Sequence, residues 1–125
     1  MGLPAYGRGF KTSGTAPGAP SSGPSDPGPF TGEGGFMAYY EICDKINNNG
    51  WTAIYDDNMK SMYAHGGGQW MGYENKQTLA HRCDFINERG LGGAMFWDTS
   101  LDDMRGLKCS EGAYPLISMF LLCLT

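Results

Sequence analysis

The chain has 125 residues, a one-domain length, with 20 Gly, 7 Pro and a net charge of -4 from thirteen acidic and nine basic side chains. No Lys/Arg cluster is present that could follow a phosphate backbone, so nucleic acid is excluded as an expected partner. The apolar end LISMFLLCLT is far shorter than the roughly 20 residues that cross a bilayer, so no membrane role is expected, and Met1–Pro4 has neither the basic nor the apolar region of a secretory signal.

In chain order, residues 3–10 read as the end of a strand turning outward, with Tyr6 and Arg8 on one face by the two-residue period. Residues 13–29 are predicted to form a surface loop, because thirteen of these seventeen residues are Gly, Pro or Ser and offer little side chain to bury. From about Gly35, Phe36, Tyr39, Tyr40 and Cys43 fall at helical spacing, and the run Asn47-Asn48-Asn49-Gly50 stops that helix. Glu33 is placed at or just before its N-terminus, where a carboxylate suits the helix dipole.

Three short aromatic-rich pieces follow, starting at Trp51, Met62 and Gln69, joined by Asn or Gly turns. They predict a small antiparallel sheet. Asn75 is a capping residue for a helix over 76–89, whose Leu79, Cys83 and Ile86 share a face and which Gly90 ends. The apolar run GLGGAMFW, 90–97, reads as a buried parallel strand that delivers Trp97 to the mouth of a pocket. Helix, short turn and apolar strand make the second half of a βαβ unit. Tyr114-Pro115 opens a last helix with Leu116, Ile117, Phe120, Leu121 and Leu124 as its apolar stripe.

Cys43, Cys83, Cys109 and Cys123 lie 40, 26 and 14 residues apart. No CxxC or HxxxH spacing exists, so no metal site is expected. The four thiols allow three complete pairings, or one pair and two free thiols.

The segments GLPAYGRGF, PGPFTGEGGFMAYYEIC, QWMGYEN, RGLGGAMFWDTSLDDMRG and AYPLI, in this order, resemble the C-terminal part of a family-18 glycoside hydrolase of the animal chitinase and chitinase-like lectin type. The resemblance implies an α/β fold, part of a (β/α)8 barrel that needs about 250 residues when whole. Residues 1–7 would be the end of its seventh strand and 8–75 a small α+β insertion domain. Residues 76–125 would carry the seventh helix, eighth strand and eighth helix, with the first six strands absent. An incomplete barrel would expose strand edges and favour self-association.

The implied ligand is chitin or a chito-oligosaccharide, with no cofactor. Trp97 would be the floor under the sugar at the cleavage position, Tyr6 an aromatic flank, Arg8 and Glu33 hydrogen-bonding contacts, and Phe36 and Met95 apolar wall. Family hydrolysis is substrate-assisted and needs the Glu of a DxxDxDxE segment. That spacing does not occur here, so no catalytic residue is assigned and the chain is expected to bind sugar without cutting it. A non-catalytic, lectin-like protein is the alternative. The resemblance further implies a Cys43–Cys109 disulfide, an extracellular parent, and Cys83 and Cys123 as buried thiols. Trp70 is expected in the core of the insertion domain, and Asp102 and Asp103 as loop-shaping residues. Asp98 and Ser100 depart from the family pattern of a small and an acidic residue after the Trp.

Overall fold

The computed structural model describes residues 1–124; Thr125, the last residue of the segment 76–125, lies outside them. Among the described residues are eight strands and three α-helices: β1 (Gly2–Pro4), β2 (Tyr6–Thr12), β3 (Ser21–Pro24), β4 (Phe36–Ala38), α1 (Tyr39–Asn48), β5 (Thr52–Asp56), β6 (Ser61–Gly66), β7 (Gln69–Tyr73), α2 (Lys76–Glu88), β8 (Met95–Trp97) and α3 (Pro115–Cys123). The architecture is mixed α/β, built as two sheets.

The larger sheet runs β3-β2-β7-β6-β5, with β4 also paired to β2, and every pairing in it is antiparallel. Its inward side chains, including Met62, Ala64, Met71 and Tyr73, pack with Met37, Ile42 and Trp51. Alternating burial along β6 and β7 leaves Tyr63, His65, Trp70 and Gly72 on the opposite, partly exposed face. The β5–β6–β7 meander follows the three pieces predicted from Asn and Gly turns.

The smaller sheet is the parallel pair β1–β8, in the register Gly2↔Met95, Leu3↔Phe96, Pro4↔Trp97. The parallel pairing inferred from the helix-to-strand step is present. Its extent differs, because regular pairing begins only at Met95, and the strand is not buried: Met95 is 57% and Trp97 60% exposed. Only Leu3 and Phe96 of the central register turn toward the core, where Phe96 meets Phe120 at 6.1 Å between ring centroids.

Two expectations about local structure are corrected. The Gly/Pro/Ser stretch 13–29 is not all loop: β3 lies inside it, held by backbone pairing to β2, and Ser25 is buried. The helix begins at Tyr39 rather than Gly35, because Phe36–Ala38 pair with β2 before the chain turns. Glu33 is therefore not at the helix N-terminus. Glu41 serves that end instead, its Oε1 accepting from Ala38 N at 2.9 Å.

Asn75 caps α2 as predicted, its side chain accepting from Thr78 N at 3.0 Å, and Gly90 ends the helix at φ 60°. Leu79, Cys83 and Ile86 are its buried face. In α3, Pro115, Leu116 and Phe120 are buried, but Leu121 and Leu122 are 60% and 73% exposed, and Leu124 is also exposed, so the apolar stripe is only partly covered. Cys83 and Cys123 are not free thiols. They form a disulfide between α2 and α3, with Cα atoms 5.7 Å apart, because the two helices pack side by side. Among the described residues no helix is long and apolar enough to cross a membrane.

Candidate saccharide-binding cleft

The cleft is assembled where the two sheets meet. Ala5, between β1 and β2, is fully buried; its N–H donates to Trp97 O at 2.7 Å and its carbonyl accepts from Tyr39 N at 2.9 Å. One residue thus ties the Trp97 backbone to the start of α1. The very next residues, Tyr6 and Arg8, begin the antiparallel sheet opposite Ala38 and Phe36.

On this frame Tyr6, Arg8, Glu33, Phe36, Met95 and Trp97 line a single open concavity of about 430 Å³. All six residues that the resemblance singled out come together. Tyr6 and Phe36 have ring centroids 5.1 Å apart, and the Arg8 guanidinium carbon lies 5.3 Å from each ring centre. Two aromatic flanks hold the guanidinium by cation–π attraction while its N–H groups stay exposed. Glu33 Oε1 stands 4.0 Å from Arg8 Nη1, both side chains being mostly exposed. An exposed pair at that separation stabilises little, so both groups are free to exchange each other for a ligand.

Trp97 opens a turn whose next peptide bond, Trp97–Asp98, is cis. The departures at Asp98 and Ser100 form a unit: Asp98 Oδ1 accepts from Ser100 N at 2.8 Å and from Ser100 Oγ at 2.5 Å, capping a 3-10 turn over Thr99–Leu101. The Asp98 carboxylate is engaged within its own turn at the cleft rim.

Below the rim, Asp102 and Asp103 shape the loop as expected. Asp102, 0% exposed, accepts from Ile117 N at 3.0 Å and Asp103 N at 2.8 Å, fastening the start of α3. Its burial raises the carboxyl above its ordinary value, against the opposing effect of these backbone donors. Asp103 Oδ2 accepts from Lys108 N and Cys109 N, which presents Cys109 to Cys43. The Cys43–Cys109 disulfide is present, with Cα atoms 5.0 Å apart. Glu111 lies beside these sulfurs, but both are bonded to each other and are not available as metal ligands. The Tyr39 hydroxyl donates to Glu111 Oε1 at 2.5 Å, and burial together with that carboxylate pushes the Tyr39 phenol above its usual range.

One residue escaped the sequence reading and one was misplaced by it. Glu41, 1% exposed, accepts from Phe30 N at 2.8 Å, Thr31 N at 3.2 Å, Thr31 Oγ1 at 2.6 Å and Ala38 N at 2.9 Å. It therefore holds both ends of the turn that carries Glu33 and Phe36. Its position three residues after the cap was a usable signal, obscured because the cap is Ala38 rather than Ser or Thr. Trp70, expected in the core of the insertion domain, is the misplaced one. It is half-buried on the outer sheet face, stacked on Tyr63 at 5.6 Å, rather than in the core.

A family model described as glycosyl hydrolases family 18 matches residues 1–102. Human chitinase-3-like protein 2 is 40% identical over 119 residues, which is 94% of this chain and 30% of that protein. The structure of human YKL-39, described as a pseudo-chitinase with retained chitooligosaccharide binding properties, matches with a TM-score of 0.93 at 38% identity over 99% of this chain and 34% of the other. That of an immunomodulatory active chitinase from Trichuris suis matches with a TM-score of 0.94 at 35% identity over 99% of this chain and 35% of the other. The chain spans about a third of the length of these relatives. With the family model matching residues 1–102 and the fold shared with these structures, the chain belongs to glycosyl hydrolase family 18.

Proposed function

We propose that the chain supplies one wall of a chito-oligosaccharide-binding cleft and does not cut the glycosidic bond by itself. The observation that carries this is the gathering of Trp97, Met95, Tyr6, Arg8, Glu33 and Phe36 around one concavity. Trp97 offers an exposed indole face on which the C–H face of a pyranose packs, and Arg8 and Glu33 offer donor and acceptor to its hydroxyl and N-acetyl groups. In this reading residues 1–7 end the seventh barrel strand, 8–75 form the insertion domain, and 76–125 carry the last barrel elements. The separation of the parallel pair β1–β8 from the antiparallel sheet supports a division of this kind, with Tyr6 and Gly7 of β2 already paired in the antiparallel sheet.

The parent activity is substrate-assisted retaining hydrolysis of chitin, in which the ligand's own N-acetyl carbonyl attacks the anomeric carbon and a carboxylic acid protonates the leaving oxygen. No DxxDxDxE segment lies within the 125 residues, so that acid is not supplied by this chain. A second reading, a lectin-like protein that binds without catalysis, is favoured by the similarity to a pseudo-chitinase that retains chitooligosaccharide binding. The two disulfides support an extracellular, oxidising location.

Calorimetric titration of the chain with chito-oligosaccharides tests the binding claim: saturable binding that Trp97→Ala removes is expected, and a flat titration of the parent chain overturns it. Release of oligosaccharide from chitin by the purified chain, above background, would overturn the assignment of no cutting.

A further inference from the structure

Between Lys11 and Asp26 no residue carries charge, and of the fourteen residues 12–25 six are Ser or Thr and three are Pro. The segment is a hairpin at the edge of the antiparallel sheet, with residues 13–18 all exposed. Thr12 N donates to Gly68 O at 3.0 Å and Ser13 N to Pro20 O at 3.1 Å, which closes the base of the hairpin against the β6–β7 turn. At the tip Ala19 N donates to Ala16 O at 3.2 Å, with Pro17 and Gly18 between them and Gly18 at φ 85°. That is the residue order of a type II turn, in which Pro presets one angle and Gly takes the positive one.

The six hydroxyls of this hairpin fall into two groups. Thr12 Oγ1 donates to Gly14 O at 2.7 Å, Ser21 Oγ donates to Gly23 O at 3.2 Å, and Ser25 is buried. The hydroxyls of Ser13, Thr15 and Ser22 are exposed and make no hydrogen bond among the described residues. Ser13 is engaged by its backbone at the base of the hairpin, and Ser22 lies within β3. Thr15 stands outside that pairing, directly before the Ala16–Ala19 turn, so both its hydroxyl and its backbone are open to an enzyme. A Cβ at Gly18 or Gly23 would meet nothing within 4 Å, so there is free space around the tip.

We infer that Thr15 is a site of mucin-type O-glycosylation, bearing an α-linked N-acetylgalactosamine. An uncharged Ser/Thr tract interleaved with Pro is the composition of O-glycosylated stalks, and here the fold leaves one of its hydroxyls fully presented. In the modification Thr15 Oγ1 forms a bond to C1 of the sugar of UDP-N-acetylgalactosamine. The bond from C1 to the diphosphate breaks, UDP leaves with the electron pair, and the hydroxyl proton is released; nothing is oxidised or reduced. Donor and transferase belong to the secretory route, so the assignment rests on the extracellular reading that the two disulfides support. None of residues 13–24 lines the Trp97 cleft, so the glycan leaves it open. It stands instead beside β3, the outer strand of the sheet, where Pro20 and Pro24 already withhold N–H donors from an incoming strand.

The test secretes the whole chain from cultured animal cells behind a cleavable leader and maps its peptides by mass spectrometry with electron-transfer fragmentation. An N-acetylhexosamine, alone or extended, is expected on Thr15; Thr15→Ala removes it and Thr15→Ser keeps it. A secreted chain with both disulfides formed and Thr15 bare overturns the site, whether or not Ser13 or Ser22 carries sugar. A second arm treats the folded, unmodified chain with a purified polypeptide N-acetylgalactosaminyltransferase and UDP-N-acetylgalactosamine. Transfer to Thr15 is expected there too, and its absence overturns the site independently of where the chain resides. A chain that is modified in this arm but is not secreted by the cells overturns the extracellular reading and upholds Thr15 as an acceptor. Chitotriose affinity is expected to be equal for Thr15→Ala and the parent, so the saccharide cleft stands or falls separately.

Discussion

The antiparallel sheet and the parallel pair β1–β8 build opposite sides of one cleft by different means. In the sheet, β2 is flanked on one edge by β3 and β4 and on the other by β7, so Arg8 is paired on both sides and Tyr6 on the β4 side. Its core face is closed by α1, and the turn carrying Glu33 and Phe36 is locked to the buried Glu41. On the other side, Trp97 and Met95 hang from three residues of pairing per strand, and exposed leucines on α3 leave apolar surface uncovered. Local hydrogen bonding therefore positions the polar contacts, whereas the aromatic floor depends on Ala5 and on covalent ties.

The largest expected effect breaks the link between these regions. Cys43→Ser with Cys109→Ser opens a loop with a sequence separation of 66 residues, and chain entropy puts the cost at about 4 kcal/mol. Chemical denaturation followed by hydrogen exchange should show the β8 and 98–113 segments losing protection before β6 and β7; simultaneous loss would make the two regions one cooperative unit. Glu41→Ala acts on the sheet side alone. It removes acceptors from two backbone N–H groups of the turn, one of β4 and a hydroxyl, at a cost of about 3 kcal/mol read from a denaturation midpoint.

Trp97→Ala sharpens the contrast from the other direction. Because the indole is largely exposed, stability should move by no more than about 0.5 kcal/mol, while oligosaccharide affinity falls at least about tenfold. A large stability loss with it would show that the ring is packing rather than platform.

The smallest effect is a pH slope. Asp102 has its carboxyl raised by burial, so the folded state holds that proton more tightly than the unfolded chain. The stability it contributes is full below the ordinary carboxylate value of 3.8 and is lost as pH rises through the raised folded value. Relative to Asp102→Asn, which does not titrate there, the parent should thus lose stability on going from about pH 4 upward, seen as a shrinking difference in melting temperature. A difference that grows with pH would contradict the sign.

Much of this architecture is written in turn and cap residues. Asn75 and Gly90 bound α2 because their side-chain chemistry acts locally, and the β5–β6–β7 meander follows from its Asn and Gly turns. The segment Ser21–Pro24 carries no apolar alternation, so its strand pairing, made by backbone alone, leaves no periodic trace. Phe36 and Met37 fit a helical spacing equally well, and pairing with β2 decides against it. The two-residue period put Tyr6 and Arg8 on one face and the apolar run put Trp97 at a pocket mouth, but the six cleft residues, drawn from β2, β4, β8 and a turn, were legible as one set only through the resemblance of ordered segments. Cys83 and Cys123 sit on separate helices, and their pairing depends on how α2 and α3 pack, which neither helix's own pattern encodes.

The two disulfides interleave, since 43 and 109 enclose 83 but not 123. Every peptide bond between Cys43 and Cys123 is thereby spanned by one covalent bridge or by both. A protease that nicks the chain once anywhere in that interval releases no piece: the fragments stay joined, and separate on a gel only after reduction. The aromatic floor and the polar wall of the cleft thus remain on one covalent body after such a cut.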